Sequence, residues 1–237
     1  MIEDNRIERI LCVMAHPDDV DFSTAGTVAT WTAAGIEVSY CIVTSGDAGG
    51  FDPDVPRSKI AGIRQAEQRA AAATVGVSDV RFLGYPDGQV EVSLDLRRDI
   101  ARVIREVRPQ RLVSQSPERH MVRMPASHPD HLAVGEATLC AMYPDARNPF
   151  AFMDSLGDLA AWTVPETWVI GGERVNHYVD VTETFDRKKS ALLEHKSQIK
   201  SPDELHNLLT WWLGSNAEAA GWEKGRYAEA FWVMETG

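Results

Sequence analysis

The chain contains no GxGxxG turn, Walker phosphate loop, GxSxG elbow or HExxH helix. The usual sequence signatures of dinucleotide binding, nucleoside-triphosphate binding, serine hydrolysis and helix-borne zinc proteolysis are therefore missing. Gly46 to Gly50 is glycine-rich but lacks the Lys and Ser/Thr that a phosphate cradle needs. Cysteine is scarce: Cys12, Cys41 and Cys140 are odd in number and far apart, form no CxxC pair or disulfide framework, and read as core residues. The apolar run near the start, Ile10 to Ala15, falls far short of the roughly 18–20 residues that cross a bilayer, so no membrane helix is expected. Met1 to Arg6 is polar and acidic where a secretory leader would be basic and then apolar, which makes the cytoplasm the expected compartment. Positive charge is also in deficit. With 24 Lys+Arg against 35 Asp+Glu the net charge is −11, which disfavours broad binding to nucleic acid or anionic lipid.

The 237 residues are 44% hydrophobic and 25% charged, the composition of a soluble globular protein. Without a repeat, a low-complexity tract or a Pro/Gly-rich linker, one domain over 1–237 is expected. Ile10 to Ala15, Glu37 to Val43, Val80 to Leu83 and Arg111 to Ser114 read as strands. Between and after them Thr24 to Ala34, Ser58 to Val75, Leu94 to Val107 and Pro129 to Cys140 read as helices. The alternation predicts an α/β fold: a mainly parallel sheet with helices on both faces and the ligand crevice at the carboxyl ends of the strands. The polar clusters at 16–19, 44–50, 84–88 and 114–131 all follow strands and should meet on that rim. Further on, Trp168 to Ile170, Tyr178 to Val181 and Ala228 to Met234 read as strands, and Glu183 to His195 and Asp203 to Leu213 as helices.

Metal-type side chains concentrate in His16-Pro17-Asp18-Asp19 and His128-Pro129-Asp130-His131. Two histidines and a carboxylate leave coordination positions open, and zinc there would lower the pKa of a bound water to near ~7, a hydrolytic design. Adjacent residues leaving a strand point different ways. His16 and Asp19 can therefore wrap the ion while Asp18 serves as general base. His128 and His131 stand three apart at a helix start, so either both ligate or one lies beside the ion. Either cluster alone would be an ordinary turn or cap; the pairing of the two at strand ends argues for chemistry. Arg64 has a plain reading as a helix-surface ion pair with Glu67. Asp87, in Tyr85-Pro86-Asp87-Gly88, is either a turn residue or an acceptor for sugar hydroxyls. Trp211, Trp212 and Trp222 read as core or interface, either covering a pocket or forming a subunit contact in a homo-oligomer.

Ala15-His16-Pro17-Asp18-Asp19, followed by Gly26, and Ser127-His128-Pro129-Asp130-His131 resemble the two signature motifs of the LmbE-like or PIG-L zinc de-N-acetylases. Arg64-Gln65-Ala66-Glu67, Gly84 to Gly88, His195 to Gln198 and Ala228 to Phe231 fit as well. The resemblance implies a Rossmann-like three-layer α/β/α sandwich that removes acyl groups from N-acetylglucosamine-type amides or glycoconjugates. It implies His16, Asp19 and His131 as ligands of Zn2+, Asp18 as general base, and His128 as oxyanion stabiliser or proton donor. Asp130 would orient His128, and Arg64 and Asp87 would contact substrate hydroxyls. Some sugar deacetylases of the family carry a tyrosine two residues before the first histidine of the second motif; here that position is Ala126, at the end of the loop Pro117 to Pro125.

The same metal set also describes a non-haem Fe2+ site, and the same fold resembles a zinc hydratase of unsaturated dicarboxylates, for which Arg119 and Arg123 would bind carboxylates. A non-catalytic metal-containing binding protein is the third alternative.

Overall fold

The runs read as strands join into one sheet. A computed structural model describes residues 1–237, with the side chain of Pro125 outside the described residues. Its strands are β1 (Arg9–Met14), β2 (Glu37–Thr44), β3 (Asp79–Tyr85), β4 (Arg111–Gln115), β5 (Glu166–Ile170), β6 (His177–Asp180) and β7 (Ala228–Glu235), in the spatial order β3-β2-β1-β4-β5-β7-β6. Neighbours among β1 to β5 are parallel. β7 runs antiparallel to both β5 and β6.

Side chains alternate across each strand and build two cores. From β1, Ile10, Cys12 and Met14 face one core and Leu11 and Val13 the other, the period of two expected of a strand buried on both faces. The first core is completed by α1 (Asp19–Ala33), α2 (Arg57–Thr74) and, later in the chain, α6 (Phe185–Leu193), through residues such as Val28, Ala72 and Ala191. The second is covered by α3 (Leu94–Val107) and α4 (Pro129–Cys140), through Leu96, Ile104 and Val134. The short α5 (Met153–Leu156) adds Leu156 to it, and α7 (Pro202–Ala219) packs Leu205, Leu209 and Leu213 into a third, smaller cluster. The result is three layers, α/β/α.

Element ends differ from expectation where tertiary contacts decide. Helix α1 starts at Asp19 rather than Thr24, because acidic Asp19 and Asp21 suit the positive end of the helix. Helix α7 continues past Leu213 to Ala219: Asn216 donates to the Ala228 carbonyl (3.0 Å), and Ala217 is buried. The π-turn at Ala141–Ala146 and helix α5 were not expected. Cys12 and Cys41 are core residues as expected; Cys140, at the end of α4, is only half-buried. Among the described residues no helix is long and apolar enough to cross a membrane.

The direction of strand succession reverses between β1 and β4, the two strands that pair at Ile10↔Arg111 through Val13↔Ser114. A crevice opens at such a switch point; the first histidine motif leaves the sheet there, and the second opens α4 beside it.

Candidate metal centre and active site

His16 follows β1, and Asp19 opens α1 with its Oδ2 accepting the His16 backbone N–H (2.7 Å). Across the crevice His128 caps α4: its Nδ1 accepts the Asp130 backbone N–H (3.2 Å). Gly135 lets α4 lie this close to the end of β4, since a Cβ there would collide with the Gln115 carbonyl. The Gln115 side chain ties both halves together, accepting the Ala15 N–H (3.0 Å) and donating to Asp19 Oδ2 (3.0 Å).

His16 Nδ1 lies 3.3 Å from His131 Nε2 and 3.3 Å from Asp19 Oδ2, and His131 Nε2 lies 3.1 Å from Asp19 Oδ1. Ligands of a four-coordinate ion with bonds of about 2.0–2.1 Å stand about 3.3 Å apart, so this trio fits a divalent metal. Ring centroids of His128 lie 4.9 Å from His16 and 5.3 Å from His131, and His16, His128 and His131 also form a group of metal-ligating atoms. His128 is nevertheless committed at Nδ1 to the helix cap, which leaves its proton on Nε2. Without an ion, burial opposes a charge on His16, but Asp19, Asp130 and Asp87 outweigh it and push the ring up to about 12. Burial likewise opposes ionisation of Asp19, yet His131 and His16 hold its carboxyl well below the ordinary value. The pocket is built for positive charge.

Asp130 is placed otherwise than the resemblance implied. The Asp130 side chain meets His16 Nε2 (3.1 Å), not His128, and is held by the N–H groups of Gly88 (2.7 Å) and Val90 (3.3 Å). Asp87 Oδ1 meets the same nitrogen (3.1 Å), and its Oδ2 accepts from Ala48 N–H (3.1 Å). A carboxylate on the far nitrogen of a histidine fixes its tautomer and leaves the near one free to ligate; here His16 has two.

Asp18 stands beside the trio in the left-handed backbone region, φ +93°. Helix α2 holds it there: Gln68 Oε1 accepts the Asp18 N–H (2.8 Å), and Arg64 donates to the Pro17 carbonyl (2.6 Å) and to Asp18 Oδ2 (3.0 Å). Burial pushes the Asp18 carboxyl up to about 6, against the pull of Arg64. The surface pairing of Arg64 with Glu67 does not occur. Arg64 is only 4% exposed and also bonds the Gly46 carbonyl (3.1 Å), where the positive φ of Gly46 and its missing Cβ make room for the guanidinium. Glu67 instead accepts from the N–H and hydroxyl of Ser197 (2.8 and 2.7 Å). Behind Gln68, whose amide donates to Asp21 Oδ2 (2.8 Å), buried His195 meets that same oxygen (2.8 Å). Gln68, Gln115, Asp21 and the role of His195 escaped the sequence reading.

Two hollows flank the trio. The smaller, about 260 Å3, is polar and includes Asp18, Arg64, Asp87 and His128. The larger, about 450 Å3, borders Asp19 and His131 and is walled by Phe22, Ile170, Val175, Leu208 and Trp212. Trp212 therefore belongs to a pocket wall, with Arg123 stacked 4.2 Å above its ring, whereas Trp211 is 67% exposed. Arg119 donates to the Ser127 carbonyl (3.3 Å).

An α/β sandwich with two His-Pro-Asp motifs facing each other across its switch point defines a metallohydrolase-type site. A sequence profile described as GlcNAc-PI de-N-acetylase, PIG-L, matches residues 11–142, and the chain belongs to that family. It is 29% identical over 230 residues to the diacetylchitobiose deacetylase of Thermococcus kodakarensis, covering 95% of this chain and 82% of that one. The structure of N,N'-diacetylchitobiose deacetylase from Pyrococcus horikoshii superposes with a TM-score of 0.89 at 25% identity, over 98% of this chain and 85% of the other. The 4-carboxy-2-hydroxymuconate hydratase of Pseudomonas putida shares the fold, with a TM-score of 0.78 at 18% identity over 97% of both chains, and nothing beyond the fold follows from that.

Proposed function

We propose that the protein is a zinc-dependent amidase that removes the N-acyl group from an N-acetylglucosamine-type sugar or glycoconjugate. The observation that carries this is the trio of His16, Asp19 and His131 at 3.1–3.3 Å, with a buried carboxyl, Asp18, beside it. The deacetylase relatives supply the substrate class. An ion held by these three residues supplies Lewis acidity, polarising the amide carbonyl and acidifying water.

The remaining work falls to the chain's own groups. Asp18 takes the proton of the attacking water and later hands it to the departing amine; a carboxyl raised to about 6 is suited to both steps near neutral pH. His128 offers its Nε2–H to the carbonyl oxygen as negative charge builds there. Burial and the neighbouring His16 hold the His128 ring below its ordinary value, so it acts as a neutral donor. Asp130 orients His16, Arg64 and Gln68 position Asp18, and the polar hollow with Arg64 and Asp87 on its wall takes the sugar. Zinc is preferred over Fe2+ because the reaction needs no redox change. Operation in the cytoplasm fits the three unpaired cysteines.

Amine release from N-acetylglucosamine and its β-linked dimer, with metal content measured on the same samples, tests the reading. Wild type should release amine, and Asp18→Asn should retain metal while losing about 10²–10⁴-fold in turnover. Stoichiometric metal with no amine from either sugar would sink it.

A further inference from the structure

The two hollows on either side of the trio differ in chemistry, and so do the two substituents of the scissile amide. We infer that the larger cavity is an acyl pocket and that the preferred substrates carry an N-acyl group longer than acetyl, an assignment that rests on the amidase reading above. The scissile C–N bond must lie at the trio, with its amine side and acyl side diverging from it. The smaller hollow presents Asp18, Asp87, Arg64 and His128, together with the backbone of Ala48 and Gly49, a surface for hydroxyl groups. The larger begins at Asp19 and His131 and continues along Phe22, Ile170, Val175, Leu208 and Trp212, with Ser23 and Asn216 among them, a mainly apolar surface that suits hydrocarbon.

Size points the same way. A cavity of about 450 Å3 lies in the range that holds drug-sized ligands, many times what a two-carbon group occupies. Leu208 and Val175 remain 43% and 40% exposed on its wall, apolar surface that a bound chain would cover. Among its carboxylates Glu229 is neutralised in place: Oε1 accepts from Gly26 N–H (3.0 Å) and Lys188 Nζ (2.7 Å), and Oε2 from Thr27 N–H (2.8 Å). Arg123 and Glu173 also line the cavity, Arg123 with its guanidinium stacked on the Trp212 ring.

The test compares N-acetyl-, N-butanoyl- and N-hexanoylglucosamine in two readouts, amine release by the zinc-loaded enzyme and calorimetric binding to Asp18→Asn. Each added methylene should tighten binding about fourfold until the cavity is filled, and kcat/KM should rise with it. Leu208→Trp, which narrows the cavity, should lower the hexanoyl-to-acetyl ratio of kcat/KM at least tenfold. Hydrolysis of the acetyl sugar with flat or falling affinity toward hexanoyl overturns the inference and leaves the amidase standing. Affinity that rises instead with an alkyl chain on the anomeric oxygen overturns it in favour of an aglycone pocket. Binding that strengthens with acyl length but yields no amine supports the pocket and removes the amidase.

Discussion

Asp18 carries the largest local strain in the site. A left-handed backbone costs a non-glycine residue about 1–2 kcal/mol, and here three hydrogen bonds from α2, one to Gln68 and two from Arg64, maintain it. Such strain is retained where it aims a functional group. The Asp18 carboxyl, raised to about 6 by burial, must be ionised to accept a proton, so kcat/KM should climb as pH rises through about 6. Arg64 pulls that value down. Its replacement in Arg64→Gln should therefore move the acid limb of the pH profile to higher pH, in addition to lowering the plateau; an unmoved limb would show that Arg64 does not tune the base. His16, Asp18, Asp19, His128 and His131 were legible in sequence because each motif is local, the first ending a strand and the second opening a helix. Gln68 and Gln115 were not, since their partners lie 50 and about 100 residues away and meet only through the sheet. Asp130 was assigned to its sequence neighbour His128, whereas the first turn of α4 aims its carboxylate back at His16.

At the scale of elements, the site is the meeting of two helix starts, α1 and α4, over the ends of β1 and β4. Both bring partial positive charge to the crevice. The element pattern was readable where alternation or helical spacing was clean, as in α3, found from Leu94 to Val107 as expected. It was not readable where a helix end depends on a distant partner, as α7 does on Ala228. The end of β4 supplies Gln115, which bonds Asp19 and the backbone before His16 and so fixes the spacing of the trio. Removing that bond in Gln115→Leu should weaken metal affinity about 10–100-fold, read by competition with a chromogenic chelator. Unchanged affinity would mean that Asp19 is held by His16 and His131 alone.

Across the whole molecule, β7 joins β6 to the sheet and anchors α1 over a separation of about 200 residues. Glu229 on β7 binds the N–H groups of Gly26 and Thr27, and Lys188 of α6 pairs with it while also donating to the Asp21 carbonyl (2.9 Å), all without contact with solvent. Removing one partner of a fully buried pair costs about 3–5 kcal/mol. Lys188→Met should lower the midpoint of denaturant unfolding accordingly, and Lys188→Met combined with Glu229→Gln should lose less than the sum of the two single changes. Additive losses would indicate that the two groups do not act as a pair.

That anchor also sets an order of events during synthesis. His16 to Asp19 are made long before β7, and the α/β units that follow them can begin to assemble as they emerge. The carboxylate that seizes α1 at Gly26 and Thr27 is made about 200 residues after them. A nascent chain is therefore expected to carry its first motif unfastened until β7 has been made, and to gain a working centre only then.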